Sequence, residues 1–354
     1  MKTCLYQRHV NLGAKMVDFF GWEMPLHYKG IIQEHLTVRQ SVGLFDVSHM
    51  ARILVEGSEA EPFLDYLCTN QIEGKKDLTA TYTVWCSELG TCVDDVIVYK
   101  KDQEHFFVIV NASNREKDLE HLKAQSQNFH VQITPLFDDG ILALQGPKAL
   151  SLIDRLFPKM SSLPFMRFLN LSYQGQEVVI SRTGYTGEEG VEMYASSGLI
   201  PTLWDRLLEE GMDQGIQPIG LGARDTLRLE KGYALYGHEL SEEIYASETV
   251  SAWTIKKDKK KFIGSGSLDA LEKSLKKRGE YGIILIDKGV AREGYRVMKN
   301  GECIGRVTSG TFSPSLNQSI ALVLSDKVLN VGDEVDVEIR QQCVKAKVVN
   351  LPFY

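Results

Sequence analysis

Residues 280–310 read EYGIILIDKGVAREGYRVMKNGECIGRVTSG, and with this stretch the character of the chain changes. From about residue 280 onward short strand-like runs are separated by Gly, Asn and Asp, and almost no helical period remains. That pattern predicts a separate C-terminal β-barrel or sandwich over 280–354. Upstream, helical and strand periods are mixed, so the chain reads as an α+β region over 1–265 followed by an all-β domain. The lysine-rich stretch 256–261 and the helix after it form the predicted linker.

Bulk properties narrow the class. A chain of 354 residues suits two or three packed units. No apolar run reaches the ~18 residues that a membrane helix needs. The N-terminal MKTCLYQRHV has neither an apolar signal core nor a small-residue cleavage site, and it is not Arg/Ser-rich. The expectation is a protein that stays in the cytoplasm, with no membrane partner. A net charge of −7 argues against a general nucleic-acid binder. The six cysteines, at 4, 68, 86, 92, 303 and 343, include no C-x-x-C pair, and the histidines form no H-E-x-x-H. They read as reduced thiols and scattered imidazoles, with no metal site expected.

Along the first region a helix is predicted over 28–42, with Ile31, Ile32, His35 and Val38 near one face. Residues 44–47 read as a short strand or turn. Residues 51–56, 92–99 and 105–110 alternate as strands, and 114–126 returns to helical spacing. Residues 141–144 suit a buried strand and 148–157 a helix. Two strands lie within 176–194 around Gly184-Tyr185-Thr186-Gly187, and helices follow at 200–213 and 223–231.

Four segments carry candidate chemistry. Cys92-Val93-Asp94-Asp95-Val96-Ile97-Val98-Tyr99 sets two carboxylates in an apolar strand. Alternation puts Asp95 with Ile97 and Tyr99, and Asp94 with Val96 and Val98. A partly buried carboxylate needs a partner or a task, although a strand-end Asp satisfied by a turn fits the spacing as well. In Gly184-Tyr185-Thr186-Gly187-Glu188-Glu189-Gly190 the glycines permit φ > 0 and close backbone approach. Glu192 beyond it points either into a pocket or out of a plain hairpin, and spacing alone favours the hairpin. No Gly-Lys-Ser/Thr follows, so the loop is not a P-loop. In 221–230, Arg224 sits in a first helical turn. Asp225 and Arg228 suit a surface ion-pair ladder, and Arg224 suits a cation held over a carbonyl or carboxylate. The lysines of 256–261 read as a solvated linker face or as a dock for an acidic partner.

Read in order, these segments resemble the aminomethyltransferase (T-protein) family of the glycine cleavage system. The resemblance covers residues 5–352. It is carried by Asp18-Phe19-Phe20-Gly21-Trp22 with Met24-Pro25-Leu26, by Leu44-Phe45-Asp46-Val47-Ser48-His49-Met50, and by Asp94-Asp95-Val96-Ile97-Val98-Tyr99. Ala143-Leu144-Gln145-Gly146-Pro147, Gly184-Tyr185-Thr186-Gly187-Glu188, residues 221–230 and Thr308-Ser309-Gly310-Thr311-Phe312-Ser313-Pro314-Ser315-Leu316 complete the series. Each motif alone is weak, and seven in order at compatible spacing form a strong signal.

The resemblance implies a three-domain cloverleaf whose first 265 residues hold two intertwined α+β subdomains, with tetrahydrofolate bound near its centre. It implies transfer of a methylene carbon from the aminomethyl-lipoyl arm of H-protein to tetrahydrofolate, giving 5,10-methylenetetrahydrofolate and ammonia. The family's catalytic aspartate falls on Asp95, its pterin-binding glutamate on Glu192 and its folate-pocket arginine on Arg224. Met50, Tyr82, Ile109 and Asn111 match positions lining the folate site, and Trp253 matches a nearby tryptophan. An S–CH2–NH2 group loses ammonia when nitrogen leaves protonated or the developing iminium is stabilised, and a fixed carboxylate serves both needs.

Three features depart from the family pattern. Thr91 replaces a glycine, Tyr245-Ala246 replaces a Ser/Thr-Pro, and the chain ends at Pro352-Phe353-Tyr354 without a longer tail. Competing readings on the same fold are a folate-dependent demethylase of a small methylated substrate and a folate-binding accessory protein without transferase activity. The accessory proteins carry a Lys-Gly-Cys-Tyr motif that this sequence lacks.

Overall fold

The computed structural model describes residues 1–259, 261–274 and 278–354. Lys260, a member of the lysine run, lies outside the described residues. The chain divides into two compact units. The first comprises Met1–Phe63, Ile72–Thr81 and Val96–Asp225, and the second Leu64–Gln71, Tyr82–Asp95 and Thr226–Tyr354.

The first unit opens with α1 (Tyr6–Asn11), the hairpin β1 (Lys15–Phe19) and β2 (Trp22–His27), α2 (Ile31–Gln40), β3 (Gly43–Asp46), β4 (Ala51–Glu56) and α3 (Ala60–Leu67), whose last turn passes into the second unit. Next come β5 (Thr79–Cys86) and β6 (Cys92–Lys100), which change units along their length, then β7 (His105–Val110), α4 (Arg115–Gln125) and β8 (Gln132–Leu136). β9 (Gly140–Gln145), α5 (Ala149–Leu156), β10 (Phe168–Tyr173), β11 (Gln176–Ser181), β12 (Gly190–Ala195), α6 (Ile200–Glu210), β13 (Gln217–Ile219) and α7 (Leu221–Glu230) follow.

A six-stranded sheet of order β10-β11-β12-β9-β3-β13 carries the main core of the first unit. Its central strands β9 and β12 are buried at every position, which is why they read as apolar runs instead of alternating. α5 and α6 pack against this sheet. α6 buries Ile200, Leu203, Trp204 and Leu207, a stripe at helical spacing, and Pro201 sits in its first turn. The second sheet has order β5-β6-β7-β4-β8. β4 in it alternates buried and half-buried residues, the signature of a strand with one face on the core.

The helix predicted over 28–42 is shorter, Ile31–Gln40, and Glu34 explains why. Its fully buried carboxylate turns back, and Oε1 accepts the amides of Tyr28, Lys29 and Gly30 at 2.6, 2.8 and 3.2 Å. Those amides are therefore fixed as an entry turn, and Oε2 accepts Gly220 N at 2.8 Å. Ile32, placed by periodicity near the buried face, is exposed. The predicted pair of strands within 176–194 exists, but residues 182–189 form a broad loop between them instead of a tight turn.

In the second unit α8 (Ser265–Glu272) precedes the six strands of the C-terminal region. These are β14 (Gly279–Leu285), β15 (Arg296–Lys299), β16 (Glu302–Ser313), β17 (Gln318–Ser325), β18 (Glu334–Ile339) and β19 (Gln342–Val349). They close into a barrel of order β14-β17-β16-β15-β18-β19, with every pair antiparallel. Closure leaves no free edge. β19 shows the local cause: Val344, Ala346 and Val348 point inward while Lys345 and Lys347 face water. The α+β region followed by an all-β barrel is thus as the sequence predicts.

Candidate functional site

The candidate residues fall in both units. In the second unit they gather at β5, β6 and the 3₁₀ turn Ala252–Thr254. Asp95 is half-buried in β6, whereas Asp94 is fully buried, so of the two adjacent carboxylates only Asp95 reaches solvent. Tyr82 Oη donates to Asp95 Oδ2 at 3.0 Å and lies 2.8 Å from Ser251 Oγ. With the phenol proton directed at the carboxylate, Ser251 supplies the proton of the second bond. The chain Ser251–Tyr82–Asp95 therefore has one sense. The Tyr82 ring stacks on Trp253 at 5.8 Å, and Trp253 is 59% exposed.

Buried hydroxyls hold this turn. Thr254 Oγ1 donates to Ser251 O at 2.9 Å and pairs with Thr69 Oγ1 at 2.9 Å, and Thr69 O accepts Lys256 N at 3.2 Å. The two internal departures from the family pattern meet nearby. Cys92 N donates to Ile244 O at 3.0 Å and Ala246 N to Gly90 O at 3.1 Å, so 244–246 pairs with 90–92. Thr91 closes its own turn through Ser87 Oγ at 2.8 Å. Ala246 therefore uses an amide hydrogen that proline lacks. Ala246→Pro is expected to lower stability by about 1 kcal/mol, the order of one lost hydrogen bond. Urea unfolding monitored by circular dichroism checks this, and an unchanged midpoint would show the bond to be without weight.

The lysine run is not one solvated face. Lys256 Nζ lies over the Trp253 ring at 5.6 Å, and Lys257 pairs with Glu272 at 2.6 Å. Lys259 is enclosed, with a side chain 1% exposed, and it binds Asp65 Oδ1 at 3.0 Å and the carbonyls of Asp65 and Asn70. Lys259 is thus a buried structural cation and no part of a docking patch.

In the first unit the sites are Glu192 and Arg224. Glu192 in β12 is buried, opposite Ser181 of β11 and Ala143 of β9. Its Oε2 accepts from Thr183 Oγ1 at 2.6 Å and from Tyr194 Oη at 3.0 Å. Tyr194 Oη in turn lies 2.6 Å from Tyr99 Oη. Burial, and next the Glu192 carboxylate, hold the Tyr99 and Tyr194 phenols well above their usual range, so both remain donors. Both bonds fall on Oε2, so Oε1 has no protein partner among the described residues. The plain hairpin with an exposed Glu is excluded by this burial.

The loop 182–189 is clamped beside it. Gln145 Nε2 donates to the carbonyls of Thr183 and Val191, and its Oε1 accepts Thr186 Oγ1 at 2.8 Å. A Cβ at Gly184 would stand 2.0 Å from that oxygen, which is why the loop needs glycine there. Gly146, at φ +129°, approaches the Ser41 and Val38 carbonyls as closely as glycine alone allows. Arg39 Nη1 ties Thr186 O at 2.7 Å and Glu188 at 2.9 Å.

Arg224 lies over the Tyr185 ring of this loop at 4.6 Å and reaches Met50 Sδ at 3.8 Å. His49 beside Met50 in sequence is kept neutral: burial, then the Arg224 charge, pull its pKa down to about 3. Arg228 does not belong to a surface ladder. It is 2% exposed and binds Glu239 at 3.0 Å and Ser309 Oγ at 2.8 Å. Ile109 is buried in β7, paired with Arg52 and Ile97. Asn111 follows directly and leads into a 3₁₀ turn.

The structure therefore joins Tyr82, Asp95 and Trp253 in one cluster, and Met50 with Arg224 in another. It adds Ser251, Thr183, Tyr185, Tyr99 and Tyr194. Tyr194 was accessible from alternation, two residues beyond Glu192, whereas Ser251 has no local signal. Among the described residues no group of three or more His, Cys, Asp and Glu is arranged to hold a metal, and no helix is long and apolar enough to cross a membrane.

A family model described as the GCVT N-terminal domain matches residues 5–259, and one described as the glycine cleavage T-protein C-terminal barrel domain matches residues 281–354. The chain belongs to the aminomethyltransferase family. It is 43% identical over 355 residues to the aminomethyltransferase of Pseudothermotoga lettingae, covering 100% of this chain and 98% of that one. The aminomethyltransferase of Thermotoga maritima is 42% identical over 356 residues, covering 100% and 97%. The crystal structure of the glycine cleavage system aminomethyltransferase T from Bartonella henselae superposes with a TM-score of 0.93. It is 33% identical, covering 100% of this chain and 98% of that one.

Proposed function

We propose that this member of the aminomethyltransferase family is the glycine cleavage enzyme that moves a methylene carbon from the aminomethyl group on lipoylated H-protein to tetrahydrofolate. The observation that supports it most is a solvent-reaching carboxylate, Asp95, whose Oδ2 is held by a phenol donor in a chain matching the family end to end. The products are 5,10-methylenetetrahydrofolate, ammonia and dihydrolipoyl H-protein.

The residues present fit a folate. Glu192 keeps Oε1 free of protein donors in a buried setting, so it can accept the N–H edge of a pterin. Arg224 offers a cation over Tyr185 for a carbonyl or carboxylate. Met50, Ile109 and Asn111 are the other proposed folate contacts in the first unit, and Tyr82 and Trp253 those in the second. When bound, tetrahydrofolate supplies the nitrogen nucleophiles that take up the carbon. Asp95 is the proposed catalytic residue. Its carboxylate takes or returns a proton at nitrogen and offsets the positive charge that develops as ammonia leaves. Tyr82, hydrogen-bonded to Oδ2, orients it. His49, neutral near physiological pH, supplies no charge to the reaction.

The test is an assay with aminomethyl-loaded, lipoylated H-protein and tetrahydrofolate. Ammonia and methylenetetrahydrofolate are expected in equal amounts. Neither product from loaded H-protein, with 5-methyltetrahydrofolate formed from a small methylated amine instead, would replace this reading by the demethylase.

A further inference from the structure

Glu280 lies in β14, the first barrel strand, yet it serves a different part of the second unit. Its Oε2 accepts the main-chain amide of Val250 at 2.7 Å, and its Oε1 is buried without a hydrogen-bond partner. Glu239, Glu248 and Arg228 are the charged groups that act on it. Burial, and next the Glu239 carboxylate, push the Glu280 carboxyl well above the usual range, and its Oε2 accepts the Val250 amide. The barrel interior is filled by Ile283, Val297, Val323 and their neighbours and has no need of this group. A buried carboxyl is costly where an apolar side chain would serve, so its place calls for a task.

That task follows from what Val250 adjoins. Ser251 is the next residue. Its Oγ donates to Tyr82 Oη at 2.8 Å, and Tyr82 donates to Asp95 Oδ2 at 3.0 Å. Ser251 N is held separately by Thr249 Oγ1 at 3.1 Å, so the amides on both sides of Val250 Cα are held. We infer that Glu280 is a positioning residue for Asp95: by fixing the Val250 amide it sets where Ser251 Oγ stands, and through Tyr82 it orients the carboxylate. This rests on the reading of Asp95 as the catalytic group.

The test compares Glu280→Gln, Glu280→Ala and Ser251→Ala in the full chain, with kcat, KM for tetrahydrofolate and thermal midpoint measured for each. Gln retains a side-chain oxygen for the Val250 amide and is expected to hold kcat within about twofold. Ala is expected to lower kcat by roughly tenfold while KM moves less than about threefold, because a misoriented carboxylate costs turnover more than binding. Ser251→Ala cuts the next link and should lose a similar factor. The double variant should lose little more than either single one, since both act on one chain. A Glu280→Ala protein with full kcat and only a lower thermal midpoint overturns the inference. So do additive losses in the double variant. Should Glu280→Ala fail to fold, Ser251→Ala with full kcat overturns it alone. Asp95→Asn run beside them separates the two readings. If Asp95→Asn keeps full turnover, the catalytic assignment falls. If Asp95→Asn loses turnover while Ser251→Ala and Glu280→Ala keep it, only the positioning role falls.

Discussion

Asp95→Asn is expected to lower kcat by roughly a hundredfold to ten-thousandfold, the range that a positioned acid or base contributes. The variant isolates charge from shape. An Asn amide oxygen can still accept from Tyr82 Oη, so the 3.0 Å contact and the stacking of Tyr82 on Trp253 survive the change. What is lost is the negative charge and the ability to take a proton. Tetrahydrofolate affinity should therefore change little while turnover collapses. Asp94→Asn is the control. Asp94 is fully buried, so its loss should appear in the thermal midpoint instead of in kcat of the folded protein. Single-turnover ammonia release from loaded H-protein measures both. Equal losses of turnover in the two variants, or a loss confined to Asp94→Asn, would move the catalytic role off Asp95.

The contrast between these two neighbours shows what the sequence could tell. Period-two alternation separates Asp94 from Asp95, but it cannot say which face is covered. That is decided by what packs on β6, and the partners of a strand are set by distant chain. The closed barrel was legible because strands of alternating residues such as Gln342–Val349 carry their inside and outside in the spelling. The start of α2 was not, because Glu34 draws three amides out of helical register from within the helix itself. Glu192 was recognisable only by family resemblance. Its donor Thr183 lies within the 182–189 loop and Tyr194 in the strand after it, and nothing local announces that the loop folds back onto Gln145. Lys259 taught the opposite lesson. A run of like charges reads as solvated, and one member is nonetheless enclosed around Asp65, since a buried carboxylate is stabilised by whichever cation the chain brings near.

Glu192 carries the second large expectation, and it concerns binding. A carboxylate oxygen that accepts buried N–H donors is worth ~2–4 kcal/mol when removed, so Glu192→Ala should weaken tetrahydrofolate binding by about a hundredfold. Alanine also strips Thr183 and Tyr194 of their acceptor, and the phenols of Tyr194 and Tyr99 would have to rearrange. A fall in affinity there could reflect the disturbed network alone. Glu192→Gln removes that ambiguity. Its amide oxygen can take the two hydroxyl protons in place of Oε2, which keeps the network and the thermal midpoint close to those of the parent. The amide nitrogen then occupies the place of Oε1 and presents hydrogens to a ligand edge that also presents hydrogens. Donor against donor leaves both unsatisfied, so Gln should bind folate as poorly as Ala despite its better stability. Titration calorimetry with tetrahydrofolate under anaerobic conditions reads the two affinities. A Glu192→Gln protein that folds normally and binds tetrahydrofolate as tightly as the parent would show that Oε1 meets no ligand donor, and Glu192 would then stand as a buried anchor for two tyrosines and a threonine.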